Sequence, residues 1–285
     1  MEFRALHSLF RKIVKGHGGI ALLIGGLILL VFIVFFIFAP FIAPYDPIKP
    51  VGPSFSPPTT KFIMGTDNFG RDVFSRVIWG TRIALTVAIF ATLLAAFIGI
   101  PLGLFSGYRG GLFDRVLTMI MDSIYSFPGL ILAIAIAAML GPGIINISVS
   151  IATIYVPTYF RVVRNQVNSI KAELYVEAAR ALGATDGVIL RKYIFRGVVP
   201  TILVILSMNI ADAILTEAGL SFLGLGIPPP TPDWGFDLSN GQRFLLQNSW
   251  WMVFYPGLMI VLITLGFSLL GEGLQERFNP KLKER

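Results

Sequence analysis

From Ile20 to Ala43 the chain carries no charged residue. A helix of about 20 apolar residues crosses a bilayer core. In hydrocarbon every backbone N–H and C=O must find a partner within the protein, which leaves only helices and closed barrels as spanning structures. A secretory leader has an apolar region of about 7 to 15 residues before a small-residue cleavage site. The run here is longer, so residues 20–43 are read as an uncleaved first span. Similar runs recur over residues 83–106, 116–140, 144–160, 201–222 and 251–270. The expectation is an all-α integral membrane protein with six transmembrane helices. Composition agrees: 55% of residues are hydrophobic and 14% charged, with a mean hydropathy of +0.76. Soluble domains carry about 25% charged residues, and so few charges cannot cover a globular surface.

The net charge of +7 does not point to nucleic acid, because the basic residues lie between spans. With the N-terminus inside, 17 of the 23 basic residues fall in inner segments and six in outer ones. The positive-inside rule selects that orientation, with both termini cytoplasmic. Residues 1–19 form a short basic N-terminal segment with Arg4, Arg11, Lys12 and Lys15. Leu6, Leu9, Phe10, Ile13 and Val14 recur there at helical spacing, fitting either an amphipathic helix on the lipid surface or a solvated positive flank. The tail, residues 271–285, is charged and cytoplasmic.

The segments between spans differ in kind. Residues 44–82 form a proline-rich outer loop, with a short surface helix expected over Asp67 to Trp79, capped by Thr66 or Asp67. Within it Asp72 and Arg76 stand four apart and fit a helical ion pair. Asp67, Arg71, Asp72 and Arg76 are accordingly candidates for bracing this loop or for docking a partner. In the second span Gly99, Gly103 and Gly107 repeat every four residues, a spacing that lets membrane helices approach closely. The third span, 116–140, contains Pro128 and Gly129 at mid-helix, and Asp122. The fifth carries Asn209, Asp212 and Glu217. Carboxylates inside spans are costly and usually face a polar cavity or a partner, so these four are candidate pathway or interhelix residues. For Asp122, snorkelling to the nearby membrane surface is the competing reading. Asp212 and Glu217 are five apart and do not share a helix face. Residues 223–250 form a second outer loop, in which Gly224, Gly226 and four prolines prevent a helix, and Trp234, Trp250 and, at the start of the next span, Trp251 suit the membrane interface.

The absences narrow the function. No cysteine is present, and the two histidines, His7 and His17, precede the first span. Thiolate chemistry, histidine-based chemistry within the membrane and a metal site built on either are thereby excluded, and no metal site is assigned. No Gly-Lys pair occurs, so the chain lacks a phosphate-binding loop and any ATPase must be another polypeptide. No catalytic residue is assigned.

The stretch from Arg161 to Pro200 lies between two spans and holds seven basic residues. Ala172 to Leu182 lacks Gly and Pro and is rich in helix formers. Gly183 then suits the left-handed turn that ends a helix. Tyr175, Val176 and Leu182 offer apolar anchors of the kind that dock a helix into a partner's groove, and small Ala178 and Ala179 permit close approach.

The word Glu177-Ala178-Ala179-Arg180-Ala181-Leu182-Gly183 resembles the EAA loop of importer-type ABC permeases. Gly65-Thr66-Asp67, Gly70-Arg71-Asp72-Val73-Phe74-Ser75-Arg76 and Glu217-Ala218-Gly219-Leu220-Ser221-Phe222-Leu223-Gly224-Leu225-Gly226 resemble the dipeptide/oligopeptide/nickel branch, in its C-type permease subunit. Where the family continues with a hydrophobic-Leu-Pro-Asn sequence, this chain has Ile194-Phe195-Arg196-Gly197, with Pro200 later. The resemblance implies a permease domain over about 81–275. Residues 161–200 would form its cytoplasmic coupling loop, with Glu177, Ala178, Ala179, Arg180, Leu182 and Gly183 transmitting ATPase motion. It also implies a second homologous permease subunit, two ATP-binding subunits holding ATP and Mg²⁺, and an extracytoplasmic solute-binding protein received by the outer loops. No cofactor would bind this chain. Peptide cargo follows from the branch, with nickel or another small solute as the alternative. A membrane anchor that moves nothing, and an intramembrane enzyme using Asp122, Asp212 and Glu217, are the readings from other classes.

Overall fold

The computed structural model describes residues 18–278. The amphipathic reading of residues 1–17 and the last basic residues of the tail, Lys281, Lys283 and Arg285, lie outside them. The described residues form helices α1 (Gly19–Ile42), α2 (Val73–Arg109), α3 (Gly111–Tyr125), α4 (Gly129–Leu140), α5 (Ile144–Ile170) and α6 (Leu174–Ala181). These are followed by α7 (Asp186–Phe222), α8 (Trp234–Gln242) and α9 (Trp251–Phe278). The β pairing among them is a single bridge, Thr66 to Asp72.

By length and composition α1, α2, α7 and α9 suffice to cross a membrane, and α3 with α4 add a fifth candidate if the bent pair is one span. α5 is 27 residues long but interrupted by polar Asn146, Ser148, Ser150 and Thr153. Side chains on α1 such as Leu27, Leu30, Ile37 and Phe41 are exposed, a surface that suits lipid and not water.

α2 is the axis of the bundle and packs along α5, with α7 and α1 also against it, while α9 fills the space between α1 and α7. The glycine stripe explains the main contact. A Cβ at Gly99 would lie 2.6 Å from Tyr159 Cβ, one at Gly103 2.7 Å from Phe160 O, and one at Gly107 2.8 Å from Arg164 O. All three glycines therefore let the two backbones approach, as the spacing predicts.

At about 1.5 Å per residue, the 37 residues of α2 extend about 55 Å, well beyond a bilayer core of about 30 Å. The separate short helix expected after Asp67 does not form. Helix begins at Val73 and continues unbroken into the span, because Asp72 is the cap: its Oδ2 accepts from Ser75 N at 2.8 Å and Ser75 Oγ at 2.7 Å. Asp67 instead closes the turn before it, accepting from the backbone of Phe69 and Arg71.

The third span is not one helix. α3 and α4 meet at 86° across the break from Ser126 to Pro128. Pro128 disfavours helical geometry at Phe127 and is itself the N-cap residue of α4, which starts at Gly129.

The stretch 161–200 is also less loop-like than expected. α5 continues to Ile170, and α7 starts at Asp186 with a π-helical turn over Ile189–Ile194. Only α6 and its two connections separate them. Pro200 lies inside α7.

Candidate functional site

α6 sits at the tip of the α5–α7 hairpin. Val176 is fully buried against Val163, Val167, Ile170, Ile189, Ile194 and Val198, a small core separate from that of the main bundle. Ala179 faces the same way, whereas Glu177, Ala178 and Arg180 are exposed. The two alanines thus differ in role: Ala179 seats α6 on its own hairpin and Ala178 faces outward.

The helix closes as a Schellman motif. Gly183 N–H donates to Arg180 O and Ala184 N–H to Ala179 O, both at 3.0 Å. Gly183 holds φ +86°, a conformation costly for residues with a Cβ. Leu174 and Leu182 stand 80% and 89% exposed at the two ends of α6, with Tyr175 half-exposed between them. A rigid element with outward apolar side chains and small, charged neighbours is the surface pattern of a helix that docks.

Two contacts tie this tip to the end of α2. Lys171 Nζ donates to Gly107 O at 2.8 Å, and the Tyr108 hydroxyl donates to Asp186. Nearby, Arg164 on α5 forks onto Asp114 on α3, which also accepts from Ser106 on α2. The guanidinium, aided by the Ser106 hydroxyl, holds the Asp114 carboxyl down at about 2, against burial. One turn or two further, Asp122 pairs with Arg161 at 2.8 Å, and the Arg161 guanidinium lies 4.1 Å from the Tyr125 ring centre. Asp122 is therefore an interhelix residue joining α3 to α5.

Beyond this pair, the α3–α4 break, α5 and α7 line an open cavity of about 580 Å³, along which Phe127, Leu130, Leu215 and Asp212 are exposed. Its walls include Tyr125, Phe127, Leu130, Ile154 and Leu215, and its polar groups are Tyr155, Thr158, Asp212 and Thr216. The Tyr155 hydroxyl donates to Asp212 Oδ2 at 2.7 Å. Asn209 does not line this cavity and is buried one turn away. Glu217 faces elsewhere, buried with Ser221 and Asp233: Ser221 Oγ lies 3.0 Å from Glu217 Oε1 and 2.8 Å from Asp233 Oδ2. Asp122, Asp212 and Glu217 thus occupy three separate environments, and no carboxyl pair suited to acid–base chemistry forms among them.

The end of the bundle opposite α6 is a braced assembly of both long loops. Arg71 pairs with Asp67 at 2.6 Å, and Arg76 pairs with Asp237 on α8 at 2.6 Å while donating to Pro47 O and Pro230 O. The expected Asp72–Arg76 pair is absent, because Asp72 is committed to the α2 cap and Arg76 turns to α8. Asp67, Arg71, Asp72 and Arg76 are each at most 4% exposed. They hold the loops together and present no surface to a partner. Trp234 Nε1 donates to Val77 O and Trp251 Nε1 to Thr66 O, so these tryptophans serve the assembly's interior. No sequence pattern marks Tyr155, Thr216, Asp237 or the Asp114–Arg164 pair, which packing brings into these sites. Asp233 alone carried a local signal, standing one residue before an aromatic helix start as an N-cap. Among the described residues no group of three His, Asp or Glu side chains is placed to hold a metal ion.

Comparison with known proteins matches residues 99–284 to the family described as binding-protein-dependent transport system inner membrane component. The chain is 39% identical to the glutathione transport system permease protein GsiD of Pectobacterium atrosepticum, over 96% of this chain and 90% of that protein. It is 38% identical to the dipeptide transport system permease protein DppC of Alkalihalophilus pseudofirmus, over 92% and 86%. A GsiD protein of Shigella sonnei is 39% identical, over 97% and 91%.

Proposed function

The chain belongs to the family of binding-protein-dependent transport system inner membrane components, as a multi-pass ABC transporter permease, and from that premise we propose that it forms half of the translocation pathway of an ATP-driven importer of di- or oligopeptides. Peptide cargo rests on the relatives, whose names refer to glutathione and dipeptides. Six crossings are proposed, made by α1, α2, the bent α3–α4 pair, α5, α7 and α9, with both termini and α6 in the cytoplasm. The distribution of basic residues supports that orientation.

The observation that carries the coupling role is the exposure of Leu174 and Leu182 on a helix whose other face is locked into its own small core. α6 is the handle. A nucleotide-hydrolysing subunit would grip it, and its displacement would pass into α5 and α7, which are continuous from the handle to the cavity. Tyr155 rides on α5 and Asp212 on α7, so relative motion of these helices reshapes the cavity wall. Alternating access then needs only a bistable bundle biased by the motor. The loops at the opposite end would receive the solute-binding protein. A second permease subunit would complete the pathway, and two ATP-binding subunits would carry ATP and Mg²⁺.

The test is uptake by the complete complex in proteoliposomes with ATP and the binding protein. The double variant Glu177→Lys, Gly183→Asp is expected to abolish uptake or assembly with the motor. Full uptake and normal assembly in that variant overturn the coupling role.

A further inference from the structure

Asp212 is a carboxylate within a helix that crosses the membrane, and it lines the cavity between α3, α4, α5 and α7. Its Oδ2 accepts from the Tyr155 hydroxyl at 2.7 Å, and Thr216 Oγ1 lies 3.3 Å from the same hydroxyl. Among the described residues its Oδ1 accepts no hydrogen bond, and no Lys or Arg pairs with it or lines the cavity. By contrast Asp114, Asp122 and Asp237 each hold an arginine. Asp212 is thus a negative group oriented by neutral hydroxyls and left without a counter-cation. Asp212 is exposed along this open cavity within a membrane-spanning helix, and an ionisable group so placed marks a substrate or ion pathway and attracts the opposite charge. The neighbouring wall of Phe127, Leu130, Ile154 and Leu215 suits an apolar body attached to that cation.

We infer that Asp212, oriented by Tyr155 and Thr216, is a specificity-determining contact for the primary ammonium group of the cargo. It would accept from the N-terminal ammonium of a peptide while the apolar wall takes the side chain beside it. The inference rests on the permease reading and deepens it. Cargo with a free amino group would be stabilised partway through the pathway, and cargo lacking one would leave the carboxylate unpaired.

The experiment uses the complete complex in proteoliposomes, supplied with its binding protein, ATP and an equimolar mixture of dipeptides read by mass spectrometry. Asp212→Asn is expected to lower uptake about tenfold, the size of one lost charge-assisted hydrogen bond. Asp212→Glu, which keeps the charge, is expected to stay within about threefold of the parent. Tyr155→Phe, which keeps the ring but frees the carboxylate, is expected to fall between them. The inference is overturned if Asp212→Asn imports within twofold of the parent, or if the Asn and Glu variants lose uptake alike. It is also overturned if Asp212→Asn no longer copurifies with the second permease subunit, which would place the missing cation on that subunit. If the parent complex imports no dipeptide at all, the peptide-importer reading itself fails, and that outcome is distinct from loss confined to the variants.

Discussion

Arg76 and Asp237 are 161 positions apart in the chain, and their side chains meet at 2.6 Å. The pair fastens the first turn of α2 to α8, and Arg76 spends its remaining donors on the carbonyls of Pro47 and Pro230. One guanidinium therefore joins three segments of the assembly opposite α6. Breaking a buried ion pair by removing one partner costs about 3–5 kcal/mol, because the other charge is left uncompensated. Arg76→Met is expected to lower the Tm of the purified protein sharply or prevent its accumulation. Arg76→Lys should not rescue it, since an ammonium cannot fork onto the carboxylate and still reach both carbonyls. Thermal unfolding in detergent, monitored by circular dichroism, checks both.

The Asp114–Arg164 pair predicts a pH dependence with a definite sign. The Asp114 carboxyl, held by Arg164, sits at about 2 in the folded protein against an ordinary 3.8. A carboxyl with a depressed folded pKa contributes stability that is present above its unfolded value and lost as pH falls through the folded one. The contribution is complete above about pH 4 and disappears between about 4 and 2. Asp114→Asn should lower the Tm at neutral pH and flatten the change across that acid window. Melting curves from pH 2 to 6 for the two proteins, compared at one ionic strength, decide it.

Close contact of α2 with α5 predicts that bulk is not tolerated on the glycine stripe but is tolerated at a glycine in open space. Gly103→Leu places side-chain atoms where a Cβ alone would already be 2.7 Å from Phe160 O and 3.0 Å from Val163 Cβ. Relief requires separation of the two helices that make the largest contact in the bundle, and overpacking of this kind costs about 1–3 kcal/mol or more. Gly26→Ala on α1, where a Cβ meets nothing within 4 Å, should leave stability unchanged or slightly raised through its helix propensity. The Tm difference between the two variants is the readout.

Gly183→Ala tests whether the end of α6 is set by backbone conformation. At φ +86° a residue with a Cβ is strained by about 1–2 kcal/mol. Nothing lies within 4 Å of the added Cβ, so the effect isolates backbone strain from packing. Loss of amide protection at Ala184, whose N–H closes the motif on Ala179 O, should exceed any change in the main bundle by hydrogen exchange.

The features that were legible from the sequence are those fixed within a few residues. Gly183 after a run of helix formers marked the end of α6, and the four-residue glycine spacing marked the face of α2 that meets α5. The uncharged run over 20–43 marked α1. Local pattern misled at the start of α2: spacing suggests Asp72 as the partner of Arg76 and Thr66 or Asp67 as the cap, whereas Asp72 caps Ser75 and Arg76 pairs with Asp237. The Phe127-Pro128-Gly129 interruption was visible, but an 86° turn is set by what α4 packs on and not by the proline alone. Tyr155–Asp212 and Glu217–Ser221–Asp233 join residues whose meeting depends on the packing of separate elements, and no spacing rule reports them. Burial was equally hidden. Four charged residues of the 44–82 loop look like surface in sequence and prove to be interior, because two loops distant in the chain close over them.

The central claim is that α6 is a handle worked by a nucleotide-hydrolysing partner, and it is tested most directly by a photo-crosslinking side chain at Leu182, 89% exposed beside Gly183, with Leu246, fully exposed in the loop at the opposite end, as the comparison site. In the assembled complex in membranes, the account predicts that Leu182→benzoylphenylalanine crosslinks to the ATP-binding subunit in a nucleotide-dependent yield, and that Leu246→benzoylphenylalanine does not. A crosslink from position 182 to the solute-binding protein, or to no nucleotide-hydrolysing subunit in any nucleotide state, would contradict it.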